Sequence, residues 1–188
     1  MKQQLAGSSG VSVSCLQLHG NRFSDLPSEV ASMPWLLELN LSLCRLSSLS
    51  PSFEALTRLR DLDLSDNCIS SVTPAVAVLK DVSCLHLHSN CLKTVPEELF
   101  SLPVLRKLSL HTNELDHLPE SNGSFKELTW LTLNNNKLTH IPPCWHRCDF
   151  QVSTLPVCDD MILLVQVCKY PFVSVGLSRC CLPLVLYL

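Results

Sequence analysis

Apolar residues recur in this chain at a fixed spacing of 23 residues. Within each unit they stand at the first, fourth and sixth positions, and the ninth position is usually asparagine. The ninth-position residues, each 23 after the last, are Asn21, Cys44, Asn67, Asn90, Asn113 and Asn136. Apolar residues two apart indicate a strand with one buried face, because successive strand side chains point to opposite faces. The pattern therefore predicts six strands around one core.

A second apolar pair and a short helical pattern complete each unit. In the fourth unit the pair is Leu92 and Val95, and Leu99 and Leu102 follow at helical spacing. Proline often follows the pair, where its fixed φ and missing N–H suit the first turn of a helix; these prolines are Pro27, Pro96, Pro119 and Pro142. In the fifth unit Asn122 replaces the first helical apolar residue, so we expect a loop over residues 121–124.

This period and consensus resemble the leucine-rich repeat, whose units have 20–29 residues. The resemblance implies an α/β fold: a right-handed leucine-rich repeat solenoid with a concave parallel β-sheet and short convex helices or 3-10 turns. The ninth-position asparagines should form a ladder that satisfies backbone groups at the turns. Cys44 is expected to be a small, buried substitute that forms weaker hydrogen bonds.

The Leu-Pro or Val-Pro pair that ends the second apolar segment, as in Leu26-Pro27, Val95-Pro96 and Leu118-Pro119, is similar to that of an intracellular class. Scribble, Erbin and Ras-suppressor proteins carry such 23-residue arrays. The resemblance implies a non-enzymatic scaffold that binds signalling proteins, often small GTPases or their complexes, through the concave face.

The regular pattern divides the chain into three parts. Residues 1–12 are interpreted as a disordered leader or weak N-terminal cap, and residues 13–148 as the repeat domain, with six repeats and the start of a seventh. After Cys148 the register fails, because Gln151, Thr154, Pro156 and Asp159 stand where the repeat requires apolar residues and asparagine. We expect the apolar tail, residues 149–188, to be poorly ordered.

Four interpretations of this tail remain open from the sequence. They are a membrane span, a lipid-modified end at Cys180 and Cys181, a cap over the last coil, and a segment that is not native to the domain, such as an alternative end. A span is disfavoured because Lys169, Pro171 and Arg179 interrupt the apolar run.

Composition and charge narrow the functional class. The net charge is −3 and the pI is about 6.1, and the outward strand positions lack the clustered basic residues of a nucleic-acid interface. Residues 1–10 contain no apolar segment long enough for a signal peptide. We therefore expect a cytoplasmic protein with free thiols at the cysteines inside the repeats, which are Cys15, Cys44, Cys68, Cys84 and Cys91.

The outward strand positions are the candidate binding surface, because a sheet holds their side chains in a rigid array. Three columns of such residues are expected, at the third, fifth and seventh positions of each unit. The candidate partner-binding residues within them are Glu38, Asn40, Asp61, Asp63, His86, His88, Lys107, His111, Trp130, Thr132 and Asn134.

A zinc site is a competing interpretation of part of this surface. Cys84, His86 and His88 alternate on one strand, and Asp61, Asp63 and His111 lie on its neighbours. These are zinc-ligand types, but same-face strand residues lie about 6.5–7 Å apart at Cα. We therefore predict solvated histidines and no metal or cofactor.

Catalysis is not indicated by the sequence. The chain lacks a phosphate-binding loop and the H-E-x-x-H and G-x-S-x-G motifs. The prediction is a non-enzymatic protein-protein interaction module or signalling scaffold. The alternative is the recognition part of a truncated larger signalling enzyme or adaptor, such as a kinase, GTPase or death-domain protein.

Overall fold

A computed structural model describes residues 13–120, 127–140, 142, 150–151 and 164–167. Each of the six repeats contributes one three-residue strand, and each strand pairs in parallel with the next. The pairing partners lie 23 residues apart throughout, as Leu62, Leu85 and Leu108 illustrate. The predicted parallel sheet is confirmed. Its strands are β1 (Cys15–Gln17), β2 (Glu38–Asn40), β3 (Asp61–Asp63), β4 (Cys84–His86), β5 (Lys107–Ser109) and β6 (Trp130–Thr132).

The inward strand residues form the first side of the core. Leu62, Leu64, Leu85 and Leu87 are completely buried, and the other inward leucines from the second repeat onward are nearly so. Only in β1 and the residue after it are the inward leucines half-buried. Stacking therefore buries the core, because each coil covers its neighbour.

The asparagine ladder joins successive coils. Asn67 donates from Nδ2 to the Leu41 carbonyl of the preceding coil (2.9 Å) and accepts at Oδ1 from the Leu46 N–H (3.1 Å). Asn90, Asn113 and Asn136 repeat both bonds. Cys44 is buried, and its thiol donates a weaker bond to the Leu18 carbonyl at 3.6 Å, as predicted.

The first position of the ladder differs from the prediction. The Asn21 side chain is exposed and donates to the carbonyls of Leu18 and His19 in its own coil. It lies in the first described coil, so the described structure contains no preceding coil for it to join. The ladder thus links coils from Asn67 onward.

Each coil turns at a residue with positive φ, one place before the ladder residue. Gly20 has φ 72°, and the five equivalent residues have φ between 53° and 55°: Leu43, Asp66, Ser89, Thr112 and Asn135. This left-handed conformation favours glycine, asparagine and aspartate. The turn geometry therefore recurs even where the residue type is unfavourable.

Short helices cross the opposite side of the coils. One α-helix, α1 (Ser28–Ala31), follows Pro27, and 3-10 helices occupy Pro51–Ala55, Pro74–Val78 and Glu97–Ser101. The helical residues that pack into the core are Val30, Phe53, Val76, Leu99 and Phe100. The predicted convex segments are thus confirmed in the first four repeats. The loop predicted at residues 121–124 lies outside the described residues.

Two further strands extend the sheet past β6. Strand β8 (Leu164–Val167) pairs antiparallel with β6, and β7 (Phe150–Gln151) pairs antiparallel with β8. Of the four interpretations of the tail, a cap over the last coil is the one that implies such pairing. The rest of residues 149–188, and the leader at residues 1–12, lie outside the described residues, so their predicted disorder stays a prediction.

Candidate functional site

The outward face of the six parallel strands, here called the concave face, is the candidate site. Strand register sets its third- and fifth-position columns. The third-position column runs Cys15, Glu38, Asp61, Cys84, Lys107 and Trp130, and the fifth-position column runs Gln17, Asn40, Asp63, His86, Ser109 and Thr132. Neighbouring members lie about 4.8 Å apart, the spacing of paired strands. The sequence-predicted columns are therefore brought together as one surface.

Exposure differs among the predicted contact residues. Glu38 and Lys107 are exposed, whereas eight others are half-buried: Asn40, Asp61, Asp63, His86, His88, His111, Trp130 and Asn134. Half-burial restricts side-chain motion and keeps part of each group accessible. The surface is consequently more rigid than a set of freely solvated side chains.

Thr132 is the exception, and its assignment as an accessible contact residue is corrected. Its side chain is 7% exposed, and its hydroxyl is 3.1 Å from that of Ser109, which is also buried. Both side chains are short and lie on adjacent strands next to larger neighbours. The pair therefore forms part of the floor of the concave face.

Two serines of the seventh-position column are likewise buried by a local motif that the sequence analysis did not identify. Asn40 Oδ1 accepts from the Ser42 N–H (2.9 Å) and hydroxyl (2.8 Å). Asp63 Oδ1 does the same with Ser65, at 3.0 and 2.7 Å. The recurring pattern Asn/Asp-x-Ser was the available signal, since such side chains bond to backbone two residues on.

An acidic region occupies β2 and β3. Glu38 is the register partner of Asp61, and Asp63 lies two residues further along the same strand. Burial raises the pKa of Asp61; His86 and Lys107 oppose the shift, and the negative charges of Glu38 and Asp63 reinforce it. The face thus holds carboxylates that a cationic group of a partner would stabilise.

A histidine cluster adjoins this acidic region. The His88 and His111 rings stack with centroids 4.5 Å apart, and His86 meets His88 edge to face at 6.1 Å. The Nδ1 atom of His88 is buried without a hydrogen-bond partner in the described structure. The cluster presents closely packed imidazoles at the centre of the face.

The surroundings of His111, one member of this cluster, disfavour its protonation. Burial lowers the pKa of His111, and His88 and His86 lower it further; Asp66, a turn residue of the third coil, acts in the opposite sense. Asp66 was not identified by the sequence analysis because it lies outside the three columns.

Ligand types alone suggested zinc at this cluster, but the geometry differs. Within the described part of the chain, no group of three or more histidine, cysteine, aspartate or glutamate side chains is placed to hold a metal ion.

In the same residues no helix is long and apolar enough to cross a bilayer. Cys15, Cys44, Cys68, Cys84 and Cys91 are free cysteines.

Comparisons with known proteins agree with this geometry. The leucine-rich repeat family profile matches residues 12–69, 59–115 and 80–138. A solved leucine-rich repeat protein of Leptospira interrogans is 33% identical, with a TM-score of 0.64 over 70% of this chain. The chain spans about a third of that protein, since the match covers 34% of its length. Curated proteins gave no significant match, and no catalytic family is indicated.

Proposed function

Because the chain belongs to the leucine-rich repeat family, whose domains generally mediate protein-protein interaction, we propose that it is a non-enzymatic interaction module that binds a protein partner on its concave face. The single observation that carries the proposal is the arrangement of exposed and half-buried charged and aromatic side chains in register on β2 to β6. Partner recognition depends on such groups held at fixed spacing.

The distribution of charge on the concave face supports a partner whose charges are complementary to it. Glu38, Asp61 and Asp63 lie on one half of the face, and Lys107 and Trp130 lie on the other. Burial, and after it the negative charges of Glu38 and Asp63, raise the pKa of Asp61, so a basic group of the partner placed over this side chain would stabilise its carboxylate. An acidic or aromatic group would face Lys107 and Trp130, where cation and ring contacts add to binding.

The finer role that we propose is a cytoplasmic signalling scaffold of the Scribble, Erbin and Ras-suppressor type. Its support is the unbroken 23-residue period and the Leu-Pro pairs of the convex side. Small GTPases or complexes that contain them are the partners that this resemblance suggests. Direct titration of the purified chain against Ras-family GTPases in both nucleotide states tests this level of the proposal separately.

The alternative that we retain is the recognition part of a larger signalling enzyme or adaptor. Its support is that the repeat register fails after Cys148 while the solved relative is considerably longer. Sequencing of the parent transcript beyond the codon for residue 148 distinguishes the two. Further repeats with a cap favour a plain scaffold, and a kinase, GTPase or death domain favours the alternative.

Affinity capture with matched variants tests the concave face itself. The test variant combines Asp61→Ala, Asp63→Ala and Trp130→Ala. The control combines Trp35→Ala, Glu54→Ala and Asp81→Ala, which remove one tryptophan and two acids from exposed positions outside the outward columns. We expect the test variant to lose partners that the control retains, with both variants folded by circular dichroism. Equal recovery by both would place binding elsewhere.

A further inference from the structure

The tenth position of each repeat forms a fourth column, next to the asparagine ladder. Its members are Arg22, Arg45, Cys68, Cys91, Glu114 and Lys137. From the second repeat onward, the backbone N–H of each member donates to a carbonyl of the preceding coil: Cys68 to Leu46 and Cys91 to Ile69, both at 2.9 Å. These bonds fix the separation of neighbouring members.

Side chains in this column reach one another across the gap between coils. Lys137 Nζ is 2.9 Å from Glu114 Oε2, and both side chains are substantially exposed. Cys68 and Cys91 hold the equivalent positions two coils earlier, and both are free and exposed. The column therefore directs neighbouring side chains to the same side of the solenoid.

The coil spacing suits a covalent link between the two thiols. Paired strands lie about 4.8 Å apart, and disulfides join Cα atoms about 4.4–6.8 Å apart. The other described cysteines lack such a neighbour: Cys44 is buried, and Cys15 and Cys84 are separated in their column by Glu38 and Asp61.

We propose that Cys68 and Cys91 form a dithiol site that hydroperoxides close to an intramolecular disulfide. The thiolate of one cysteine attacks a peroxide oxygen, the O–O bond breaks, and a sulfenic acid forms with release of water or an alcohol. The second thiolate attacks that sulfur, the S–O bond breaks, and the departing hydroxide takes a proton to become water. Two thiols lose two electrons, and one hydroperoxide gains them.

The link joins the two coils that carry β3 and β4, and hence Asp61, Asp63 and His86. An exposed disulfide is also the kind that thiols reduce readily. The site is thus reversible, and it joins the two chain segments that follow the turns after β3 and β4, outside the columns of the concave face. It stands independently of the proposed partner binding.

Mass spectrometry tests the site in the intact chain. The native protein is treated with hydrogen peroxide, its remaining thiols are blocked with N-ethylmaleimide, and it is digested without reduction. Because Cys84 and Cys91 share the tryptic peptide 81–93, fragmentation assigns the linked residue and Cys84→Ser serves as a control that keeps the link. We expect a Cys68–Cys91 link as the main product, removed by dithiothreitol, while Cys15 forms no link.

The same oxidation of protein denatured in guanidinium is the control. There the Cys68–Cys91 link should no longer be favoured over links between other cysteines. The proposal is overturned if native Cys68 is found chiefly linked to another cysteine or to a second molecule, or overoxidised while Cys91 remains a thiol.

Thermal unfolding gives a second readout. Closing a 23-residue loop restricts the unfolded chain, so the oxidised protein should melt on the order of 10 °C above the reduced one. The increase should be absent from the double variant Cys68→Ser, Cys91→Ser. An unchanged melting temperature in fully cross-linked protein would show that the link does not fit the native coils and would overturn the proposal.

Discussion

The Asn90 side chain bridges two coils and contacts Leu64 in the earlier one. Its Nδ2 donates to the Leu64 carbonyl at 3.0 Å, while its Oδ1 accepts from the Ile69 N–H at 2.9 Å. Only 8% of the residue is exposed. Backbone groups at a buried turn thus obtain partners from one side chain, and the same device holds each later coil to its predecessor.

Replacement of this asparagine should be costly. Asn90→Ala leaves the Ile69 N–H without its partner and removes one of the two side-chain hydrogen bonds that the Leu64 carbonyl accepts, the other being from Asn67. The free energy of unfolding should therefore fall by about 1–3 kcal/mol. Asn21→Ala is the control, because Asn21 is exposed and bonds only within its own coil in the described structure; it should cost less than about 1 kcal/mol. Urea denaturation measures both, and equal losses would contradict the ladder's role in joining coils.

Leu43 offers a stabilising substitution. It has φ 53° and is 60% exposed, whereas Asn135 holds the equivalent turn in the sixth repeat with φ 54°. Leu43→Asn should raise the free energy of unfolding by about 0.5–1 kcal/mol, and Asn135→Leu should lower it by a similar amount, because left-handed backbone is strained for leucine. Chemical denaturation measures the free energy of unfolding of both variants. Changes of the same sign in the two would contradict backbone strain at this turn as the cause.

The fold was largely predictable because its determinants repeat. A 23-residue spacing of leucines sets which residues pair, and the register of Leu62 with Leu85 follows from counting. The turn conformation at Leu43 was not predicted, because leucine gives no signal for positive φ and only the comparison of six equivalent positions reveals it. The antiparallel pairing of β8 with β6 was not predicted; a cap over the last coil was one of four open interpretations of the tail, because no repeat pattern extends there to select among them.

The candidate surface was predictable in position but less so in detail. Alternation along the strands identified which side chains point outward, such as Asp61 and His86. It did not identify burial of Thr132, which depends on the short Ser109 beside it, nor the effect of Asp66 on His111. These features arise between coils, where neighbouring side chains rather than period determine exposure and charge.

Asp61 should impose a stability penalty that depends on pH. Burial raises its pKa above the ordinary 3.8, so the folded state binds a proton more readily than the unfolded state. Stability is therefore lost as the pH rises from about 3.8 through the raised pKa, and the loss persists at neutral pH. Asp61→Asn should raise the urea midpoint at pH 7, with an advantage that shrinks as the pH approaches 4. An advantage that is constant over this range would contradict ionisation as its cause.

The pKa of His111 should respond in opposite directions to two neighbouring substitutions. Burial and the adjacent His88 hold it below the ordinary 6.5, and Asp66 partly offsets them. His88→Asn removes both a covering ring and the unfavourable electrostatic interaction with His111, so the His111 pKa should rise; Asp66→Asn removes a favourable carboxylate, so the pKa should fall. Because the folded state binds this proton less readily than the unfolded state, His111 weakens folding as the pH falls below about 6.5 and has no such effect well above it. Titration of the His111 ring by NMR measures these shifts directly, and shifts of the same sign in the two variants would show that the stacked pair and Asp66 do not control its protonation.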